Sequence, residues 1–241
     1  MAGADMEQKS ADMAKEAAGR AAVDALVQSG MKLGLGTGST AIHAIRRVGE
    51  LLQNRTLRDI RAFATSFQSE MECEKLGIPV YPLNSRELSG SLDLTIDGAD
   101  EVDPQNRLIK GGGGALLIEK IAAYSSAAYA ITVDESKIVY TLGTAFPVPV
   151  EVVPEARVTV TRALEKLGAV VILREAVRKA GPVITEHGNL ILDIRFASPV
   201  DPAEIEQEIN QITGVAENGF FTRVRPMVFI AYSGGTVKER I

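Results

Sequence analysis

The sequence predicts an α/β protein: a Rossmann-like, mostly parallel sheet with helices on both faces, plus a smaller ferredoxin-like α+β domain. Three observations lead there. Short apolar runs alternate with helical stretches up to Phe146, which is βαβ order and implies a parallel sheet covered on both faces. Beyond Phe146, Pro147, Pro149 and Pro154 punctuate a β-rich segment with a different order. That segment reads β-α-β-β-α-β, the split arrangement of ferredoxin-like domains. We therefore expect one domain over residues 1–146 and 222–241 and a smaller one over 147–221.

Taken in order, a helix from about Ala11 to Gln28 stops at Gly30, and a strand from Met31 to Leu35 runs into the glycine-rich stretch ending at Thr40. The next helix carries Ile42, Ile45, Val48 and Leu52 on one stripe, with Arg46, Arg47 and Glu50 turned away, so it should lie on a sheet. Strands follow at Ile60–Ala64, Val80–Leu83, Leu92–Ile96 and Ala128–Val133, with helices near Gln68–Leu76 and Ala115–Ser125. In the second segment Val148–Val153 reads as a strand, Ala156–Leu167 as a helix and Val170–Leu173 as a strand. Val183–Ile194 reads as a hairpin or strand pair turning near His187-Gly188-Asn189. Asp201 and Pro202 supply an N-cap and an N1 proline for a helix to Ile212, and a short strand near Val215 completes the order. Met227–Tyr232 reads as a buried strand returning to the first sheet, and Gly234–Ile241 as a surface tail.

Composition narrows the function. The 241 residues carry 46% hydrophobic and 24% charged side chains, ordinary for a globular chain with a sizeable core. A net charge of −5 disfavours nucleic acid and anionic membrane as partners. One cysteine, Cys73, excludes an intramolecular disulfide, and with two histidines it cannot build a structural zinc site without carboxylates. The longest uncharged runs, Leu33–Ile45 and Ile121–Val133, fall short of the roughly 20 residues of a membrane-spanning helix. Asp5, Glu7, Asp12 and Glu16 are wrong for a signal or transit peptide, so a cytoplasmic location is expected.

Four segments carry chemistry. In Gly36-Thr37-Gly38-Ser39-Thr40, small residues admit close backbone approach, hydroxyls add donors, and the following helix N-terminus favours an anion such as phosphate. The lysine of a P-loop is missing and the glycine spacing is not that of dinucleotide binders, so nucleotide binding is not indicated. The blander alternative is a tight turn with Ser39 or Thr40 as helix cap.

The run from Leu92 to Asp97-Gly98-Ala99-Asp100 ends an apolar strand in carboxylates, at the strand end where open parallel sheets bind ligands. Asp97 and Asp100 suit hydrogen bonds from sugar hydroxyls and proton transfer between them. Magnesium or calcium is the rival, although the spacing misses the EF-hand pattern. Glu101 and Asp103 read as loop or cap acids.

Lys110-Gly111-Gly112-Gly113-Gly114 carries a large ordering penalty, so backbone there should pass against a ligand. Glu119 lies early in the helix that follows. Partial burial would raise its pKa toward that of a general base, with Lys110 stabilising the resulting oxyanion. The alternative makes both surface charges. Finally, Lys137 follows the strand ending at Val133 and adds a second positive charge at a strand's carboxyl end, favouring an anionic substrate. Cys73 has no nearby histidine, and neither His43 nor His187 has an evident catalytic partner.

With these segments in place, the chain resembles the type A ribose-5-phosphate isomerases over nearly its full length. The resemblance rests on Gly36–Thr40, Thr65-Ser66, Leu76-Gly-Ile-Pro79, Asp97-Gly-Ala-Asp100, Lys110–Gly113, Glu119-Lys120, Ser136-Lys137 and Pro149–Pro154, all in order. It implies interconversion of D-ribose 5-phosphate and D-ribulose 5-phosphate with no metal and no organic cofactor, and a homodimer or homotetramer. It also implies that Thr37, Gly38, Ser39 and Thr40 bind substrate and that Asp97, Gly98, Ala99 and Asp100 form a hydroxyl-binding and catalytic segment. Lys110, Gly111, Gly112 and Gly113 would form another substrate loop, Glu119 the proton acceptor and Lys137 a substrate contact. One departure is Ile118, where the family commonly has a basic or polar residue.

Two alternatives belong to other classes. A CoA transferase would use a glutamate as covalent nucleophile, and Glu217-Asn218-Gly219 superficially fits such a site. A phosphosugar sensor would keep the glycine and lysine contacts but need no base, which leaves Glu119 without a purpose.

Overall fold

The computed structural model describes residues 2–241, with side chains from residue 12 onward. In chain order it contains α1 (Ala2–Leu26), β1 (Lys32–Leu35), α2 (Ala41–Gln53), β2 (Arg61–Ala64), α3 (Phe67–Leu76), β3 (Leu92–Asp97), β4 (Glu101–Val102) and β5 (Leu108–Ile109). Next come α4 (Leu116–Tyr124), β6 (Ser126–Asp134), β7 (Val148–Val152), α5 (Arg157–Lys166), β8 (Ala169–Leu173) and β9 (Leu190–Phe196). The chain closes with α6 (Pro202–Asn210), β10 (Val215–Asn218), β11 (Phe220–Phe221), β12 (Met227–Ala231) and β13 (Val237–Arg240).

Two compact units emerge. The first comprises residues 1–98, 121–137 and 224–241, and the second 99–120 and 138–223. Relative to the predicted division, the second unit also takes 99–120, 138–146 and 222–223. The reason is local pairing: β4 and β5 join β11 in a three-stranded sheet, and Glu101 accepts the backbone N–H groups of Gly143, Ala145 and Phe146.

The first unit is a six-stranded sheet in the order β13-β12-β6-β3-β1-β2, parallel except for the β12–β13 pair. Leu33 and Leu35 of β1 and Leu94 and Ile96 of β3 share a core with Ala22 and Val23 of α1, Ala44, Ile45 and Val48 of α2, and Cys73 of α3. On the opposite face Thr95 Oγ1 reaches the carbonyl of Ala122 in α4, so helices cover both faces as expected. The chain leaves β1 for β2 on one side and later returns to place β3 on the other. This puts the topological switch, where open α/β sheets bind ligands, at the β1/β3 carboxyl ends.

The second unit contains the four-stranded antiparallel sheet β10-β7-β9-β8, the ferredoxin-like order. Val148, Val150 and Val152 of β7 pack with Leu192 and Ile194 of β9 against Val160 and Leu164 of α5 and Ile205 and Ile209 of α6. Asp201 caps α6 as predicted, accepting from the N–H groups of Ala203 and Glu204 at 2.8 and 3.1 Å.

Several expectations change. Gly234–Ile241 is not a tail: β13 pairs with β12 as an edge strand, and its Lys238, Glu239 and Arg240 give it the polar look of a loop. Val80–Leu83 contributes only an isolated parallel bridge from Val80 to Ala62. Helix α1 begins at Ala2, in a stretch too polar to show an apolar stripe. β4, β5 and β11 have two residues each, too short for a periodicity signal. No helix among the described residues is long and apolar enough to cross a membrane.

Candidate active site

The first unit builds its loop from the switch point upward. Leaving β1, Gly36 donates its N–H to Ile96 at 2.9 Å, and a Cβ there would lie 2.0 Å from Asp97 Oδ1. Only glycine lets the two strand ends approach so closely. Asp97 is fully buried, and its Oδ1 accepts the N–H groups of Thr37 at 3.0 Å and Gly98 at 2.7 Å. The turn is completed by hydroxyls. Thr37 Oγ1 lies 2.7 Å from Thr65 Oγ1 and donates to Ser66 Oγ at 2.7 Å, and Ser69 Oγ donates to the Gly36 carbonyl at 2.5 Å.

Gly38, at φ +102°, donates to Gln68 Oε1 at 3.1 Å. Ser39 is exposed, Thr37 and Thr40 are half-buried, and the Thr40 side chain makes no capping hydrogen bond to α2. The loop is therefore more than a capped turn. Its shape comes from Asp97, from Thr65 and Ser66, which the resemblance includes, and from Gln68 and Ser69 of α3, which no local motif singles out.

On β6, two strands from β1, the apolar run ends at Asp134 and turns through Glu135–Lys137 as one turn of 3-10 helix. Glu135 accepts the N–H of Ser233 at 2.8 Å, and that bond holds its carboxyl below the usual range. Lys137 is half-buried with no ion-pair partner among the described residues.

The second unit begins at Ala99. Asp100 donates its N–H to Ile109 at 2.8 Å, and its Oδ2 accepts from Gly112 at 2.8 Å. Lys110 is only 2% exposed. Its N–H is held by the Gly219 carbonyl at 3.0 Å, and its Nζ lies 3.3 Å from Glu119 Oε2 and 5.6 Å from the centre of the Phe221 ring. Glu119 is 4% exposed on the first turn of α4, so neither residue is a surface charge. A lysine so buried needs such a partner. Gly111 adopts φ +102° and a Cβ on it would meet Leu116 at 2.8 Å, while Gly112 and Gly113 are exposed.

Sequence reasoning quotes Lys120 only within the Glu119-Lys120 pair and does not single out Arg174. Lys120 is buried between Glu206 at 3.0 Å and Glu217 at 2.9 Å, donates to the Asn218 carbonyl at 2.7 Å, and lies 4.7 Å from the Phe221 ring centre. Glu217 is thus held in an ion pair with a buried lysine. Arg174 donates from Nη1 to the carbonyls of Gly111 and Gly112 and pairs through its other nitrogens with Asp193. These partners lie tens of residues apart, so no spacing motif could have revealed them.

Glu101 and Asp103 serve their loops as expected, Asp103 holding the N–H groups of Gln105 and Arg107 and the Arg107 guanidinium. Burial pushes the Cys73 thiol up to about 12, with Glu72 and Glu70 adding to the shift. It is not a nucleophile at neutral pH. No cluster of three or more His, Cys, Asp or Glu among the described residues is arranged to hold a metal ion.

Comparison with known proteins agrees with this architecture. The family model described as ribose 5-phosphate isomerase A (phosphoriboisomerase A) matches residues 61–235. Ribose-5-phosphate isomerase A of Treponema denticola is 53% identical over 212 residues, covering 87% of this chain and 89% of that protein. The structure of ribose 5-phosphate isomerase A from Methanocaldococcus jannaschii superposes with a TM-score of 0.87 at 42% identity, over 94% of this chain and 97% of that one. A D-ribose-5-phosphate isomerase solved with phospho-erythronic acid gives 0.89 at 38% identity, over the same shares. Sequence, topology and glycine-loop architecture converge, and the chain belongs to the ribose 5-phosphate isomerase A family.

Proposed function

We propose that this protein interconverts D-ribose 5-phosphate and D-ribulose 5-phosphate through an enediolate, with Glu119 as the base. The observation that carries the reading is a buried carboxylate at the exit of a glycine loop, 3.3 Å from a buried lysine Nζ. The complex of a 38%-identical relative with phospho-erythronic acid, a phosphorylated sugar acid, supports the substrate class.

The phosphate is assigned to Thr37, Gly38, Ser39 and Thr40 at the α2 N-terminus, with Lys137 supplying a positive charge. Glu119 removes the C2 proton of the open-chain aldose. The C2 electron pair forms the C1–C2 double bond, and the carbonyl pair moves onto O1. Lys110 and the N–H groups of Gly111 and Gly113 stabilise that charge. O1 takes up a proton as O2 gives one up, and Glu119 returns its proton to C1, leaving the ketone at C2.

The two aspartates divide the remaining work. Asp97 commits Oδ1 to the loop N–H groups of Thr37 and Gly98, so it shapes the phosphate loop beside Gly98 and Ala99. Asp100 is half-buried, which suits contact with substrate hydroxyls and transfer of their protons. No step calls for a metal or an organic cofactor. The assembly we assign is a homodimer or homotetramer.

The test is conversion of ribose 5-phosphate to the ketose in the presence of EDTA. Wild-type enzyme should remain active with chelator. Glu119→Gln should lose about 10³-fold or more in kcat while still binding substrate by calorimetry. Removing one charge of a buried pair also lowers stability, so Glu119→Asp serves as the folded comparator, with lowered kcat and an unchanged melting profile. An active Glu119→Gln enzyme would refute the base assignment, and a thioester adduct after incubation with an acyl-CoA would favour the transferase.

A further inference from the structure

We infer that Arg174 is a positioning residue that sets the orientation of the Gly111–Gly112 peptide and so readies the glycine loop for substrate. The inference rests on the isomerase reading above. Arg174 follows β8, and Asp193 on β9 grips its guanidinium from one side, Nε to Oδ2 at 2.8 Å and Nη2 to Oδ1 at 2.5 Å. This two-bond fork fixes the plane of the group. The remaining Nη1 then donates to two successive carbonyls, Gly111 at 2.9 Å and Gly112 at 3.1 Å.

The peptide between Gly111 and Gly112 is thereby held at both ends. Its carbonyl accepts from Arg174, and its N–H donates to Asp100 at 2.8 Å. Satisfying buried polar atoms does not explain the arrangement. The Gly111 carbonyl already accepts the Gly114 N–H at 3.0 Å, and Gly112 is exposed to water. What the guanidinium adds is direction. Glycine backbone is the most costly of all to order, and peptide planes in a run of glycines turn easily without a tether. With the tether in place that cost is met before substrate arrives, which is preorganisation. Asp100 and the loop N–H groups then meet the ligand already oriented.

Loss of the clamp should therefore be read in substrate binding. In Arg174→Met, KM for ribose 5-phosphate should rise about tenfold while kcat stays within about threefold of wild type. Millimolar guanidinium chloride should restore part of the lost affinity by occupying the vacated site against Asp193. Arg174→Lys should fall between, because one ammonium cannot span the carboxylate and both carbonyls. A role confined to stability would lower the melting temperature without moving KM and without guanidinium rescue.

If Arg174→Met fails to fold, Asp193→Asn keeps the arginine but loosens its fork, and should raise KM in the same direction by a smaller factor. Unchanged KM in a folded Arg174→Met, or in Asp193→Asn, overturns the inference. Inactive wild-type enzyme would instead overturn the isomerase reading, so the two failures are distinct.

Discussion

At Thr37 in the first unit and at Gly112 in the second, a loop N–H donates to an aspartate, at 3.0 Å to Asp97 and at 2.8 Å to Asp100. The rest of the support differs in kind. The first loop is braced by neutral hydroxyls of Thr65, Ser66 and Ser69, and its aspartate stands on the adjacent parallel strand with no exposure to water. The second is braced by full charges: Arg174 on its carbonyls, with the Lys110–Glu119 pair buried at its edges. On the reading proposed above, the first loop takes the phosphate, and its one carboxylate, Asp97, is turned onto the loop's own N–H groups while the other braces are uncharged. On the same reading the second loop lies beside the proton transfer, where charges already in position favour the reaction.

The largest effect that would sharpen this contrast is steric. Gly36→Ala places a Cβ 2.0 Å from Asp97 Oδ1 between two sheet strands and should cost about 3 kcal/mol of stability together with activity. Gly112→Ala meets Asp100 Oδ1 at 2.5 Å in an exposed loop, and should leave the melting curve near wild type while raising KM. Equal melting shifts for the two would break the distinction.

Next in size is the pair of aspartates. Asp97→Asn weakens a buried acceptor of two N–H groups and should cost about 2 kcal/mol in chemical denaturation. Asp100→Asn should cost under about 1 kcal/mol and act mainly on kcat/KM. The reverse order would mean that the exposed loop, not the buried one, carries the stability.

The smallest effect concerns the charges set behind the first loop. Arg46 of α2 bonds Glu72 of α3 at 2.7 Å, and that bond holds the Glu72 carboxyl below the usual glutamate range. A lowered folded pKa means stabilisation that is complete above the unfolded pKa and is lost as pH falls through the folded value. Glu72→Gln should therefore be about 0.5 kcal/mol less stable than wild type at pH 7, with the gap closing in acid. A gap independent of pH would show that packing rather than charge joins these helices.

Much of this was legible in the chain itself. The β1–Gly36–α2 junction, the acids after β3 and the four glycines before α4 are continuous in sequence, because strand-end loops in a parallel sheet are short and carry their functional groups locally. The amphipathic stripe of α2 and the Asp201-Pro202 cap are likewise local, and the structure contains both. By contrast, β13 looked like a tail because an edge strand carries charges on its own account, and only pairing with β12 gives it a shape.

The supports of the site lay beyond reach for the same reason. Arg174 meets Gly111 across 63 positions and Lys120 meets Glu217 across 97, separations over which no periodicity extends. The sequence by itself determined the layered α/β class, the glycine loops and the identity of the acids and lysines, since these depend on backbone freedom and on patterns a few residues long. Only the tertiary structure decided that Glu119 and Lys110 are a buried pair, that Asp97 shapes a loop from inside, and that an arginine from the smaller sheet steadies the glycines. Burial and long-range hydrogen bonding arise when distant segments pack, and a linear pattern holds no measure of that distance.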